Sequence, residues 1–147
     1  MSHTFAKNHQ HVIFSTKHRL RIISEEMQPK LWAYIAGICK NHGMAPIAIN
    51  GVDDHAHALF HLPTSMTIAR AVSAIKANSS RWMSEHGIDF SWQEGYGAFS
   101  VSVSNTPAVA RYIRNQAIHH RKMSFEEEFR AILRKHGIAI GGRDIWG

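Results

Sequence analysis

Hydrophobic and polar positions along the chain switch between two periods, and the switches outline its elements. His11-Val12-Ile13-Phe14-Ser15-Thr16 is rich in β-branched and aromatic residues and predicts a strand. Over 24–42, Leu31, Ile35 and Ile38 recur at helical spacing and Gly43 supplies a stop, while Pro29 moves the expected start toward Gln28. A second strand is predicted over 45–52, and Asp53-Asp54 links it tightly to a third over 55–62. Ile68, Val72, Ile75 and Trp82 mark a second long helix ended by Gly87, with a loop over 87–95 and a fourth strand over 96–104. Thr106-Pro107 reads as a helix entrance, threonine as cap and proline in the first position, for a helix running to about Lys122. Ser124 and Glu127 have the spacing of a capping box and open a last helix ending at His136, before Gly137. The remainder, 138–147, is expected to be a loose tail.

The order βαββαβ followed by two helices predicts an α+β fold: one antiparallel sheet, ferredoxin-like, with helices packed on one face and C-terminal helices appended. RNA recognition domains share that topology. In this layout the third strand turns Phe60 and Leu62 toward the helices and His55, His57 and His61 to the opposite face. No repeat, low-complexity stretch or linker interrupts the chain, so 1–147 reads as a single domain. The hydrophobic fraction of 44% and charged fraction of 19% are those of a soluble globular protein. No apolar run approaches the ~18–20 residues of a membrane span. A single cysteine, Cys39, excludes an internal disulfide framework, and the N-terminus lacks a signal peptide's apolar core; the expected location is the cytoplasm. The 17 basic and 11 acidic residues give a net charge of +6, which recommends a polyanion such as nucleic acid as partner or else marks a merely basic protein.

Candidate chemistry concentrates in two segments. In Asp54-His55-Ala56-His57-Ala58-Leu59-Phe60, strand alternation puts both imidazoles on one face. In Tyr112-Ile113-Arg114-Asn115-Gln116, Tyr112 and Gln116 lie one helical turn apart. Two imidazoles and an amide carbonyl can hold a divalent cation beside a phenol that serves as nucleophile, which suggests metal-assisted chemistry on a phosphodiester. Taken singly, each segment has a plain packing explanation: strand histidines are commonly packed, and Val109 with Ile113 make an ordinary amphipathic helix around Tyr112. With 12 histidines present, chance pairs are expected, and His9/His11 and His119/His120 carry no weight alone. Lys17, Arg19 and Arg21 after the first strand, and Arg111 and Arg114 (with Arg121 and Lys122) around the tyrosine, either neutralise phosphates or form solvated faces. Trp92 either stacks an unpaired base or belongs to the core.

Four pieces in order, His11-Val12-Ile13-Phe14-Ser15-Thr16-Lys17, the His55/His57 segment, Trp92-Gln93-Glu94-Gly95-Tyr96-Gly97-Ala98-Phe99-Ser100-Val101-Ser102 and Tyr112-Ile113-Arg114-Asn115-Gln116-Ala117-Ile118-His119-His120, resemble the single-tyrosine HUH transposases of the insertion-sequence 200/605 type. The resemblance spans about 5–137. It implies a transposase that cleaves and rejoins single-stranded DNA at hairpin-bearing element ends through a 5′-phosphotyrosine. In it Tyr112 is the nucleophile and His55, His57 and Gln116 hold Mg²⁺ or Mn²⁺. It also implies a homodimer in which each tyrosine serves the partner's histidines. Ala56 departs from the bulky residue usual between the histidines, a packing change on the sheet's other face. A sister group, domesticated transposases acting on repeated extragenic palindromes, usually has Asn-Pro where this chain has Asn115-Gln116. That group's single-strand nuclease activity and a non-catalytic RNA- or single-stranded-DNA-binding module are the alternative readings.

Overall fold

The protein is described by a computed structural model over residues 3–140. Strand β1 (His9–Ser15) is buried from Gln10 onward because it runs through the middle of a four-stranded sheet. Its neighbours are β3 (His55–His61) and β4 (Gly97–Val101), with β2 (Ala45–Gly51) outside β3, giving the order β2-β3-β1-β4. All three pairings are antiparallel, and the register sets Ile13 opposite His57 and Ser15 opposite His55. This is the ferredoxin-like sheet expected from the βαββαβ order.

The period-two alternation sorts the strands into two faces. Val12, Phe14, Ala56, Ala58 and Phe60 point to one, where α1 (Met27–Asn41) and α2 (Ile68–Glu85) close the main core with Leu31, Ile35, Ile38, Val72, Ile75 and Met83. The opposite face holds His11, Ile13, His55, His57 and Leu59. It is covered too, by α3 (Thr106–Arg114), α4 (Gln116–His119) and α5 (Phe125–Lys135). Ile13 packs with Phe99, Phe125 and Leu133, and Leu59 with Ala48, Ala110 and Ile113. The appended helices therefore form a third layer, because the histidine face also carries apolar side chains that must leave water.

Several boundaries differ from those expected. The fourth strand ends at Val101 because the chain turns at once, Asn105 N–H bonding to the Ser102 carbonyl at 3.0 Å. Thr106 is the first helical residue rather than the cap; its hydroxyl donates to the Ser102 carbonyl at 3.0 Å and lies 2.8 Å from His9 Nδ1. The helix expected to run to Lys122 is divided at Asn115. Asn50 of β2 donates from Nδ2 to the carbonyls of Ile113 and Arg114, at 3.0 and 3.1 Å, where a continuous helix would bond its own amides. The predicted box at Ser124 forms: its hydroxyl accepts from Glu127 N–H at 3.2 Å and donates to the Glu127 carboxylate at 3.1 Å. Of the expected tail, 138–140 is docked, with Ile138 N–H bonded to the Leu133 carbonyl at 2.9 Å and Ile140 against the α5 cluster; 141–147 lies outside the described residues. The link from β2 to β3 is tight enough that a Cβ on Gly51 would run into the His55 carbonyl oxygen. No helix among the described residues is long and apolar enough to cross a membrane.

Candidate active site

The centre of the second face is a cluster of titratable groups arranged around one carboxylate. His55 and His57 are fully buried on β3, as are Gln116 on α4 and, at 1% exposure, Glu128 on α5. Tyr112 reaches them from the last turn of α3, its ring centroid 5.8 Å from that of His57. The expected one-turn spacing of Tyr112 and Gln116 survives the break at Asn115, because the backbone stays helical enough for His119 N–H to bond the Asn115 carbonyl at 3.0 Å.

Each strand histidine is oriented through its Nδ1. His55 Nδ1 lies 2.7 Å from Asp54 Oδ1; a carboxylate only accepts, so this nitrogen carries the proton and Nε2 is left to face inward. His57 Nδ1 meets His11 Nε2 at 2.8 Å. The two Nε2 atoms then converge. His55 Nε2 is 3.1 Å from Gln116 Oε1 and 3.3 Å from Glu128 Oε1, and His57 Nε2 is 3.1 Å from the same Glu128 oxygen. The other carboxylate oxygen, Oε2, accepts from the Tyr112 hydroxyl and, at 3.0 Å, from Gln116 Nε2. His119 and His120 close the ring, with Nε2 atoms 3.3 Å from Oε2 and 3.1 Å from Oε1 respectively. Phe125 lies over His55, ring centroids 4.1 Å apart and planes at 21°.

The electrostatics follow from burial against these contacts. Burial would lower His55, but its hydrogen bonds to Asp54 and Glu128 outweigh that and raise its pKa. Burial dominates at His57, which falls to about 4, with Glu128 opposing and the neighbouring histidines adding to the fall. His11 is held well below its ordinary value by burial and then by His57. Burial pushes against ionisation of Glu128, yet its bonds to His120, His55 and His57 hold the carboxyl far below the usual range. Burial, and then the Glu128 carboxylate, raise the Tyr112 phenol.

These contacts test whether the residues suit a divalent cation. With its Nδ1 committed to Asp54, His55 aims Nε2 at the Gln116 and Glu128 oxygens, and a divalent cation seated among them would take all three as ligands. Asp54 behind His55 is the carboxylate–histidine pairing typical of metal ligands. The ligand atoms of His55, His57 and Glu128 all lie within 4.8 Å of one another. The donor set fits. A cavity of about 380 Å³ opens on the α3–α5 side, lined by Tyr112, His119 and Glu128 among others.

All four residues singled out for chemistry, His55, His57, Tyr112 and Gln116, are thus brought together in one chain. Within the single chain described, the short turn over 102–105 and the Asn50 anchor fold α3 onto its own sheet, and Tyr112 meets its own His57. Four further groups belong to the cluster, His11, His119, His120 and Glu128. His11, His119 and His120 are not chance histidines. Glu128 carried one legible signal, an acidic residue on the apolar stripe of Phe125, Phe129 and Leu133.

The expected DNA contacts divide. Lys17 and Arg21 are exposed, and Arg19 pairs with Glu126 at 3.6 Å; this segment adjoins the His55 end of the sheet, where Thr16 N–H bonds the Asp54 carbonyl at 2.9 Å. Arg111 and Arg114 are exposed on α3, on either side of Tyr112. Trp92 is corrected: it lies in the main core at 8% exposure, its indole N–H donating to Ser79 Oγ at 2.9 Å and its ring edge-to-face with Phe14. It is not available to stack a base.

The chain whose ferredoxin-like sheet offers this histidine pair to a tyrosine on a following helix is of the DNA-cleaving class. More narrowly, the chain belongs to the family described as "Transposase IS200 like", which matches residues 4–116. It is 23% identical over 124 residues to the transposase for insertion sequence element IS200 of Salmonella typhimurium strain LT2, a match covering 79% of this chain and 81% of that one. The Salmonella typhi protein of the same description matches equally. Its fold is similar to that of a transposase candidate from Deinococcus radiodurans R1, with TM-score 0.62 and 23% identity over 79% of this chain and 96% of that one. A REP-associated tyrosine transposase bound to a REP hairpin aligns with TM-score 0.60 and 14% identity, covering 82% and 73%. The protein is a transposase, a DNA-cleaving enzyme.

Proposed function

We propose that this transposase cuts and rejoins single-stranded DNA at hairpin-bearing ends, with Tyr112 as nucleophile and His55, His57 and Gln116 as ligands of Mg²⁺ or Mn²⁺. The observation that carries the reading is the convergence of the Tyr112 hydroxyl and the two Nε2 atoms on the two oxygens of one buried carboxylate. Nucleophile and ligands are within reach of a single phosphate. The Tyr112 oxygen would form its bond to phosphorus as the phosphorus–O3′ bond breaks, leaving a 5′-phosphotyrosine on the protein and a 3′-hydroxyl on the DNA. The exchanged bond is kept for rejoining, so no nucleotide cofactor is called for. A divalent cation supplies Lewis acidity to the scissile phosphate and favours the phenolate that burial and Glu128 otherwise disfavour. His55 is aimed by Asp54 and His57 by His11, so both ligands are oriented in advance.

Hairpin recognition is supported by the structural relative described as bound to a REP hairpin. Exposed Lys17, Arg21, Arg111 and Arg114 are basic groups available to the phosphate backbone. Handling two DNA ends favours a two-fold homodimer.

A labelled single-stranded oligonucleotide ending in a hairpin tests the reading by gel. Wild type with Mn²⁺ should give a covalent protein–DNA adduct. Tyr112→Phe should give none while keeping hairpin binding within about twofold, since only a hydroxyl is lost. Excess EDTA and His57→Ala should each abolish the adduct. A normal adduct from Tyr112→Phe, or undiminished cleavage in EDTA, overturns the assignment.

A further inference from the structure

We propose that Glu128 completes the metal centre as its anionic ligand, so that the site takes up a divalent cation before DNA arrives. This rests on the assignment of His55, His57 and Gln116 as ligands made above. Those three are all neutral, and alone they would form a weak site needing phosphate oxygens to fill it. Glu128 changes the charge of the site. It comes from α5, beyond the 4–116 segment matched by the family, yet its Oε1 stands 3.3 Å from His55 Nε2 and 3.1 Å from His57 Nε2.

The hydrogen-bond inventory around that oxygen points to a cation. His55 Nδ1 is committed to Asp54, and His120 Nδ1 to the Met123 carbonyl at 2.7 Å. Both partners only accept, so each ring keeps a proton at Nδ1 and aims Nε2 at Glu128 Oε1. With His57 Nε2, three imidazole nitrogens crowd one carboxylate oxygen at 3.1 to 3.3 Å, and Gln116 Oε1 lies 3.1 Å from His55 Nε2. A divalent ion among His55, His57, Gln116 and Glu128 satisfies these groups together. His120, 3.1 Å from Oε1, and Gln116 Nε2, 3.0 Å from Oε2, hold the carboxylate in position. Glu128 is 1% exposed, and a carboxylate is that deeply buried only when paired or coordinating. Two imidazole nitrogens with two oxygens suit Mn²⁺ better than Mg²⁺, which prefers an all-oxygen shell. Through Oε2 the same residue receives the Tyr112 hydroxyl, so one side chain links ligand set and nucleophile.

The test is calorimetric titration of the DNA-free full chain with Mn²⁺ alone, supported by the Mn²⁺ electron-paramagnetic-resonance signal. Wild type should bind one equivalent. Glu128→Gln, nearly isosteric, should weaken binding by about 10–100-fold or more, the range seen when a metal site loses even a supporting group. His57→Ala should weaken it similarly, and His119→Ala should change it less than about threefold. Circular dichroism verifies folding; if Glu128→Gln does not fold, Glu128→Asp replaces it and should show an intermediate loss. Unchanged Mn²⁺ affinity in Glu128→Gln alongside loss in His57→Ala overturns the role of Glu128 and leaves the histidine–glutamine site standing. Mn²⁺ binding that appears only when hairpin DNA is added overturns loading in advance, again without touching that site. Loss in Glu128→Gln and His119→Ala but not in His57→Ala places the ion on the outer histidines, which overturns both assignments.

Discussion

At the scale of single residues, the same burial produces opposite chemistry according to what each side chain meets. His55 and His57 are two residues apart on one strand and equally buried, yet His55 is raised and His57 lowered to about 4. The difference is Asp54, a carboxylate beside only one of them. Cys39 is buried in the main core, and burial pushes its thiol up to about 12. The native protein should therefore resist iodoacetamide at pH 8 and become labelled only on unfolding, which mass spectrometry over a denaturant series will read. Rapid stoichiometric labelling of folded protein would contradict this burial.

At the scale of elements, the site depends on where helices stop. Asn50 reaches from β2 into the end of α3 and takes the Ile113 and Arg114 carbonyls, which separates the Tyr112 segment from that of Gln116 and ties both to the sheet. Removing that amide leaves two carbonyls without their donor, at a cost of about 1–3 kcal/mol. Asn50→Ala should show that loss in urea unfolding and form the DNA adduct more slowly, with Mn²⁺ affinity falling less than in His57→Ala. Unchanged stability would mean water replaces the amide without penalty. Such an anchor is not legible from periodicity, since Val109, Ile113 and the following residues are consistent with one unbroken helix. The boundaries that were legible had local causes: Gly43, Gly87 and Gly137 all adopt positive φ just past helix ends, as their positions predict.

At the scale of the whole molecule, three layers place the reactive groups inside one chain. Tyr112→Phe and His57→Ala subunits, each inactive alone, should regain no cleavage when co-expressed and mixed, because every site carries one defect. Recovery toward a quarter or more of wild-type activity would show that α3 can serve a partner. DNA binding should weaken with salt. If Lys17, Arg21, Arg111 and Arg114 each neutralise a phosphate, log affinity against log salt should slope at about −3 for a single strand. Replacing Lys17 and Arg21 by Ala should reduce that slope by about half, and a flat salt dependence would assign them to solvated surface.

What the sequence determined by itself is whatever depends on near neighbours. Period-two alternation placed His55 and His57 on one face, four-residue spacing stacked Gln116 over Tyr112, and capping chemistry opened α5 at Ser124. The succession of these elements defined the sheet. The tertiary structure decided which distant groups share a point. Glu128 lies 71 residues from His57 and His11 lies 46, so no spacing rule links them; only the docking of α5 and the β1–β3 register bring them within hydrogen-bonding distance. It also decided the fate of Trp92, because a tryptophan before a strand has the same sequence signature on a surface as in a core. Ser79 and Phe14 supply the partners that make it core. Local geometry is repeated at every position of a helix or strand and can be read from a few residues, whereas the meeting of three helices over one sheet face depends on the packing of the entire chain.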